Sequence, residues 1–170
     1  APTDLVIATT LEIGQTVSSE SSSVTTIVSP TGMQPSLPTT PQRTLVGNPA
    51  AGFDLTSGYR VMPVVRNYGD PRATDVDTVV ALIGNRELRD EHIQQLTAFT
   101  SAGGYSGIFI DYRDIPAEQR ANFSSFIREL ADSLHIYHLT LGVVVPEATI
   151  TPEDTWNTGA YDWRLLSDVA

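Results

Sequence analysis

The sequence predicts an α/β fold built on a parallel sheet of about five strands. Three observations carry that expectation. Strand-like and helix-like segments alternate through the second half of the chain. The strand-like segments are apolar throughout rather than alternating, as strands covered on both faces are. One of them, in the stretch Gly103 to Asp114, runs Ile108-Phe109-Ile110 into the polar end Asp111-Tyr112-Arg113-Asp114. Parallel neighbours require crossovers, and these are right-handed.

Asp4 to Thr10 reads as a short strand. Glu12 to Ser23, rich in Ser, Thr and Gly, has no clear period and reads as a loop or frayed helix. Val24 to Ser29 is β-branched and reads as a second strand that stops at Pro30. Residues 30–58 are punctuated by Pro30, Gly32, Pro35, Pro38, Pro41 and Gly47. They read as a long loop with a small hairpin near Arg43 to Val46, although composition alone also fits a linker. Tyr59 to Val65 is a third strand, and Asn67 to Pro71 a turn.

Asp75 to Ile83 and Glu87 to Ser101 read as two helices broken at Gly84-Asn85. The second places Leu88, Ile93, Leu96 and Phe99 on one stripe. Gly103-Gly104 closes it, and Pro116 opens the helix after the next strand. That helix, Pro116 to Leu134, carries Phe123, Phe126, Ile127, Leu130 and Leu134 at helical spacing, with Asp114 near its positive end. His135 to His138 turns the chain into a last strand, Leu139 to Val145. Pro146 and Pro152 frame a loop, and Thr158 to Ala170 begins a further helix.

Composition excludes several functions. The net charge of −10 opposes binding to nucleic acid or anionic lipid through bulk electrostatics. With no cysteine, disulfides and thiolate metal sites are impossible. No run approaches the ~20 apolar residues of a membrane span. No basic and apolar leader is visible, and the chain opens at Ala1-Pro2-Thr3-Asp4, so a leader could precede it. No cofactor and no metal are expected. His135 and His138 have no carboxylate near them in sequence, and His92 reads as a solvated or capping residue on its helix. Gly103-Gly104 precedes a strand, the wrong context for a phosphate loop, and Gly-x-Ser-x-Gly is absent.

The candidate site is the carboxyl end of the strand that carries Ile108-Phe109-Ile110, where α/β proteins keep their chemistry. Asp111 and Arg113, two residues apart, point to the same side. Arg113 reads either as a salt-bridge partner that neutralises Asp111 or as a cation that grips a ligand carboxylate or phosphate. Asn67 and Tyr112 are expected to face the same mouth, giving Asn67, Asp111, Tyr112 and Arg113 as ligand-binding candidates. Trp156, Tyr161 and Trp163 read as core residues or as a sugar-stacking platform.

The stretch Ser106-Gly107-Ile108-Phe109-Ile110-Asp111-Tyr112-Arg113 resembles the fourth-strand signature of glycoside hydrolase family 18, Asp-Gly-x-Asp-x-Asp-x-Glu. That family holds the chitinases and the spore-cortex or peptidoglycan-type glucosaminidases. Gly107 and Asp111 match the signature. Ser106 and Phe109 replace its first and second aspartates, and Arg113 replaces its catalytic glutamate. Tyr59 to Asn67 is similar to the family's third strand, Leu139 to Pro146 to its fifth, and Tyr161-Asp162-Trp163 to the approach to its sixth. The likeness covers roughly residues 24–170.

The resemblance implies a partial (β/α) TIM-type barrel, about five strands of eight, in one domain spanning residues 1–170. A closed barrel needs ~250 residues. It also implies how the family works. A glutamate protonates the leaving oxygen while the substrate's acetamido oxygen attacks, an exception among glycosidases. Arg113 cannot supply that proton, because a guanidinium stays protonated. No catalytic residue is therefore expected at the signature positions.

The first functional reading is a non-catalytic, extracellular or cell-surface module that binds a chitin- or peptidoglycan-like glycan. A second is a scaffold whose sheet is completed by a partner or by further chain. Its open edges would be Leu139 to Val145 and Leu5 to Thr9, with self-association possible and Ile108 and Ile110 left without facing strands. A third is an active glycosidase that uses another acid, such as Glu118 or Glu147.

Overall fold

The computed structural model describes residues 6–38, 42–69, 73–150, 152 and 156–169, with the backbone alone for Trp156 and Val169. The expectations for Asp4, Leu5, Pro41, Asp70, Pro71 and Ala170 lie outside the described residues.

A parallel sheet forms the frame. β1 (Ala8–Leu11) pairs with β2 (Ile27–Pro30), and β2 with β5 (Arg60–Val61), all parallel. β3 (Met33–Pro35) pairs with β6 (Val64–Arg66), then β7 (Gly107–Asp111) and β8 (Thr140–Val143) follow, again parallel. The two portions are continuous. β2 passes into β3 through Thr31-Gly32, and β5 into β6 through Met62-Pro63. Met62 N–H donates to the Val28 carbonyl at 2.9 Å, and Ser106 and Phe109 N–H donate to the Val61 and Pro63 carbonyls at 2.9 and 2.8 Å. The third strand is broken at Pro63 because proline cannot donate to a ladder.

The long loop is more ordered than its prolines suggest. β4 (Leu45–Gly47) turns back antiparallel onto β3, with Pro35 opposite Leu45. The hairpin expected near Arg43 to Val46 is therefore real but wider, and the excursion begins only after Pro35. A small hairpin, β9 (Thr149–Ile150) with β10 (Trp156–Asn157), sits where a plain loop was expected.

The helices follow the apolar periodicity. α1 (Ser19–Ser22) is a single turn capped by Ser18. α2 (Val76–Gly84) starts at Asp75, whose side chain accepts from Thr78 N–H, and α3 (Arg86–Ala102) starts at Asn85, which accepts from Leu88 N–H. Such caps are each worth ~1 kcal/mol. A 3₁₀ turn, Ala117–Gln119, precedes α4 (Arg120–His135), and α5 (Trp163–Val169) ends the described chain.

α2, α3, α4 and α5 cover one face of β6, β7 and β8. Ile108, Ile110, Val65 and Leu141 meet Phe126, Ile127, Leu130 and Leu96 there, all buried. This corrects one expectation: Ile108 and Ile110 face the helices and are fully buried, not left facing an empty interior. On the opposite face, Phe109 occupies the space that a side chain at residue 142 would need. A Cβ on Gly142 would lie 2.2 Å from the Phe109 ring. A smaller core, Leu11, Val28, Ala50, Tyr59 and Val61, sits beneath β1, β2 and β5. β8 and β1 end their sheet portions without a further strand among the described residues, so the sheet does not close.

Candidate functional site

The site is assembled where β6 and β7 end side by side. Register pairs Arg66 with Asp111. Residues paired this way in parallel strands point to one side, so Arg66, Asp111 and, two residues on, Arg113 share the mouth.

Asp111 is buried at 3% exposure. Its Oδ1 accepts from Arg113 Nε at 2.9 Å and its Oδ2 from Arg113 Nη2 at 3.1 Å, a bidentate pair. The Tyr68 hydroxyl also donates to Asp111 Oδ2, at 2.5 Å, and Arg66 Nε lies 4.0 Å from the same oxygen. A buried carboxylate is costly unless paired and hydrogen-bonded, and Asp111 is both. The Tyr68 ring supports the two cations, with Arg113 Cζ 4.4 Å and Arg66 Cζ 5.4 Å from its centroid. The bond to Asp111 raises the Arg113 pKa above its ordinary value. Burial, together with the bond to Asp111, raises that of the Tyr68 phenol.

Arg66 Nη1 reaches Glu12 Oε1 at 2.9 Å, and Glu12 Oε2 accepts from Thr31 Oγ1 at 2.8 Å. These residues line an open cleft of about 740 Å³, with Glu12, Thr31, Gln34, Arg66, Tyr68 and Arg113 on its walls. That is the size of small-ligand sites.

Asp111 and Arg113 thus stand together as the sequence predicts. Asn67 and Tyr112 do not face the cleft. Asn67 is buried and clamps the backbone: its Oδ1 accepts from Arg113 N–H at 2.8 Å and its Nδ2 donates to the Arg113 carbonyl at 3.0 Å. It positions Arg113 rather than presenting its amide to the cleft. Tyr112 points to the helix face because it follows Asp111 directly and the pleat alternates. Its hydroxyl lies 2.7 Å from His92 Nε2. His92, expected at the surface, is fully buried, bonded through Nδ1 to Thr44 Oγ1 at 3.0 Å. Desolvation lowers its pKa from 6.5 to about 3.

Asp114 adopts a left-handed conformation and accepts from Thr74 Oγ1 at 2.8 Å, tying the turn to the next loop rather than capping a helix. Of the aromatic platform, the Trp156 side chain lies outside the described residues, and Tyr161 and Trp163 do not share a surface. Tyr161 is buried and donates to the Tyr112 carbonyl, whereas Trp163 is half exposed on a separate apolar groove beside Val143 and Glu147. Among the described residues no group of three His, Cys, Asp or Glu is placed to hold a metal ion.

No family model matches the chain. It is 28% identical over 109 residues to the uncharacterized glycosylase YvbX of Bacillus subtilis strain 168, an alignment covering 63% of this chain and 31% of that protein. A class V chitinase from Pseudomonas fluorescens Pf-5 superposes with a TM-score of 0.72 at 19% identity, over 97% of this chain and 52% of the chitinase. The chain has a chitinase-like fold. The spore cortex-lytic enzyme SleL of Bacillus megaterium QM B1551 superposes on this domain with a TM-score of 0.79 at 12% identity, over 97% of the domain and 40% of SleL. The domain spans about a third of the length of the curated relatives it matches.

Within this chitinase-like domain, sequence reasoning missed Arg66, Tyr68 and Glu12. A signal for the first two was present. Arg66 and Tyr68 close the third strand, and polar residues at one strand's carboxyl end have counterparts on its parallel neighbour. Nothing local marked Glu12, which arrives from the loop after β1.

Proposed function

We propose that this domain is a family 18-like, partial (β/α) barrel that binds a glycan in the Arg66–Arg113 cleft and does not cleave it. One observation carries the reading. The position that matches the family's catalytic glutamate is Arg113, and its guanidinium is engaged in a bidentate pair with Asp111. A general acid typically supplies ~10²–10⁴ in rate, and a guanidinium, which stays protonated, cannot supply that proton. Phe109, at the position of the second aspartate, cannot orient an acetamide. The relatives' names, a glycosylase and chitinases, support a glycan as ligand.

Glu118 and Glu147 are poor substitutes for the missing acid. Glu118 is exposed on the 3₁₀ turn, Glu147 lines the Trp163 groove, and neither is on the cleft wall. We place the domain outside the cell or at its surface, and take the β8 and β1 edges as covered by further chain, a partner or a second copy. A sharply melting monomer in light scattering that binds no hydrophobic dye would remove the last point.

Assays on chromogenic N-acetylglucosaminides and on peptidoglycan should show no turnover, while calorimetric titration with chitotetraose shows binding. Turnover that survives Arg113→Ala and disappears on removing Glu118 or Glu147 would overturn the non-catalytic reading.

A further inference from the structure

Two guanidiniums, on neighbouring strand ends and against one tyrosine ring, form the basic wall of the cleft. Their donors outnumber the acceptors around them. Arg113 spends Nε and Nη2 on Asp111, and the rest of its fork meets no acceptor among the described residues. Its side chain is 37% exposed. Arg66 gives Nη1 to Glu12, while its buried Nε has no hydrogen-bond partner among the described residues. A planar fork with unused donors matches a carboxylate bidentately.

Building on the glycan-binding reading, we infer that the cleft selects a sugar chain carrying a carboxylate, which docks on the free edge of Arg113 with Arg66 beside it. The global charge narrows the class further. A protein of net charge −10 repels a polyanion along its whole length. A single acidic group on an otherwise neutral oligosaccharide avoids that cost, because repulsion from charges beyond the Debye length of ~8 Å is screened at physiological salt. The ligand class is therefore a mostly neutral oligosaccharide with an isolated carboxylate, not an acidic polysaccharide.

The test compares chitotetraose with its C1-oxidised aldonate, which adds one carboxylate to the same backbone. Titration calorimetry with the whole chain should show the aldonate binding about tenfold tighter or more, as expected for charge-assisted hydrogen bonds. Arg113→Gln should erase the preference, so that the two ligands bind equally, and Arg113→Lys should retain only part of it. If Arg113→Gln does not fold, as near-UV circular dichroism reports, Asp111→Asn with Arg113→Gln removes both charges and should erase the preference equally. Equal affinity of the native chain for the two ligands overturns the inference and leaves glycan binding standing. Binding of neither overturns both. A preference that persists in the variant lacking Arg113 and Asp111 charge places the carboxylate elsewhere and also overturns it.

Discussion

Asp111 and Tyr112 are consecutive residues that face opposite sides of one sheet, and each is the centre of a buried polar cluster. On the cleft side the problem is charge, and it is solved by pairing: Asp111 with Arg113, Tyr68 and, farther off, Arg66. On the helix side the problem is polarity alone, and it is solved by neutrality. His92 sits between Thr44 and Tyr112 and stacks near Tyr112 and Phe126, with ring centroids 6.2 and 5.8 Å away. The difference teaches how access to solvent sorts chemistry. The Arg113 side chain reaches water and can carry a charge outward, whereas His92 is sealed and keeps none. The proposed ligand recognition draws on the first cluster, and anchoring of the β3–β4 hairpin to α3 belongs to the second. Gln95 on α3 helps there by accepting from Thr44 and Leu45 N–H at 2.9 and 3.3 Å.

The largest expected effect breaks the sealed cluster with acid. The His92 pKa is depressed to about 3 in the folded chain, against 6.5 when unfolded. Its contribution is therefore fully present above pH 6.5 and is lost as pH falls through that window toward 3. The loss should approach about 4–5 kcal/mol at the acid end, at 1.36 kcal/mol per pKa unit. Denaturant melts at stepped pH measure it, and His92→Gln should flatten the slope. An unchanged slope in that variant would mean that other groups govern the acid limb.

The charged cluster should give a smaller effect. Arg113→Met leaves Asp111 with Tyr68 and a distant Arg66. Since Arg113 is partly exposed, roughly 2 kcal/mol is expected, below the 3–5 kcal/mol of a fully buried broken pair. Adding Asp111→Asn should recover part of it. If Arg113→Met melts at the native temperature, the pair is weak and the contrast between the clusters disappears.

The smallest effect sharpens the boundary between them. Tyr112→Phe removes the partner of His92 Nε2 and should cost about 1–2 kcal/mol. Chitotetraose affinity should stay the same, because the hydroxyl lies beneath the sheet. A change in affinity at unchanged stability would put Tyr112 back in the mouth.

Much of the frame was legible. The apolar run at Ile108 to Ile110, the periodicity of Phe123 to Leu134 and the helix break at Gly84-Asn85 are local signals, and the structure follows each. The Asp111–Arg113 pair was legible for the same reason, since two residues separated by one share a side of the pleat. Tyr112 was misplaced although the same alternation should have turned it inward. His92 was misread because a polar residue on a helix gives no sign that a tyrosine and a threonine from distant strands will meet it.

The sequence by itself determined the principal strands and helices, the parallel order and the polar end of β7, because these depend on period, propensity and short spacing. It also determined that the position matching the family's acid is occupied by a cation. Tertiary structure alone decided that Arg66, Tyr68 and Glu12 complete the cleft and that His92 is sealed beneath it. Those contacts join residues 43 to 54 positions apart. Sheet register and helix docking set such pairings; the chain marks Arg66 and Tyr68 only as polar residues at a strand end and does not name their partners.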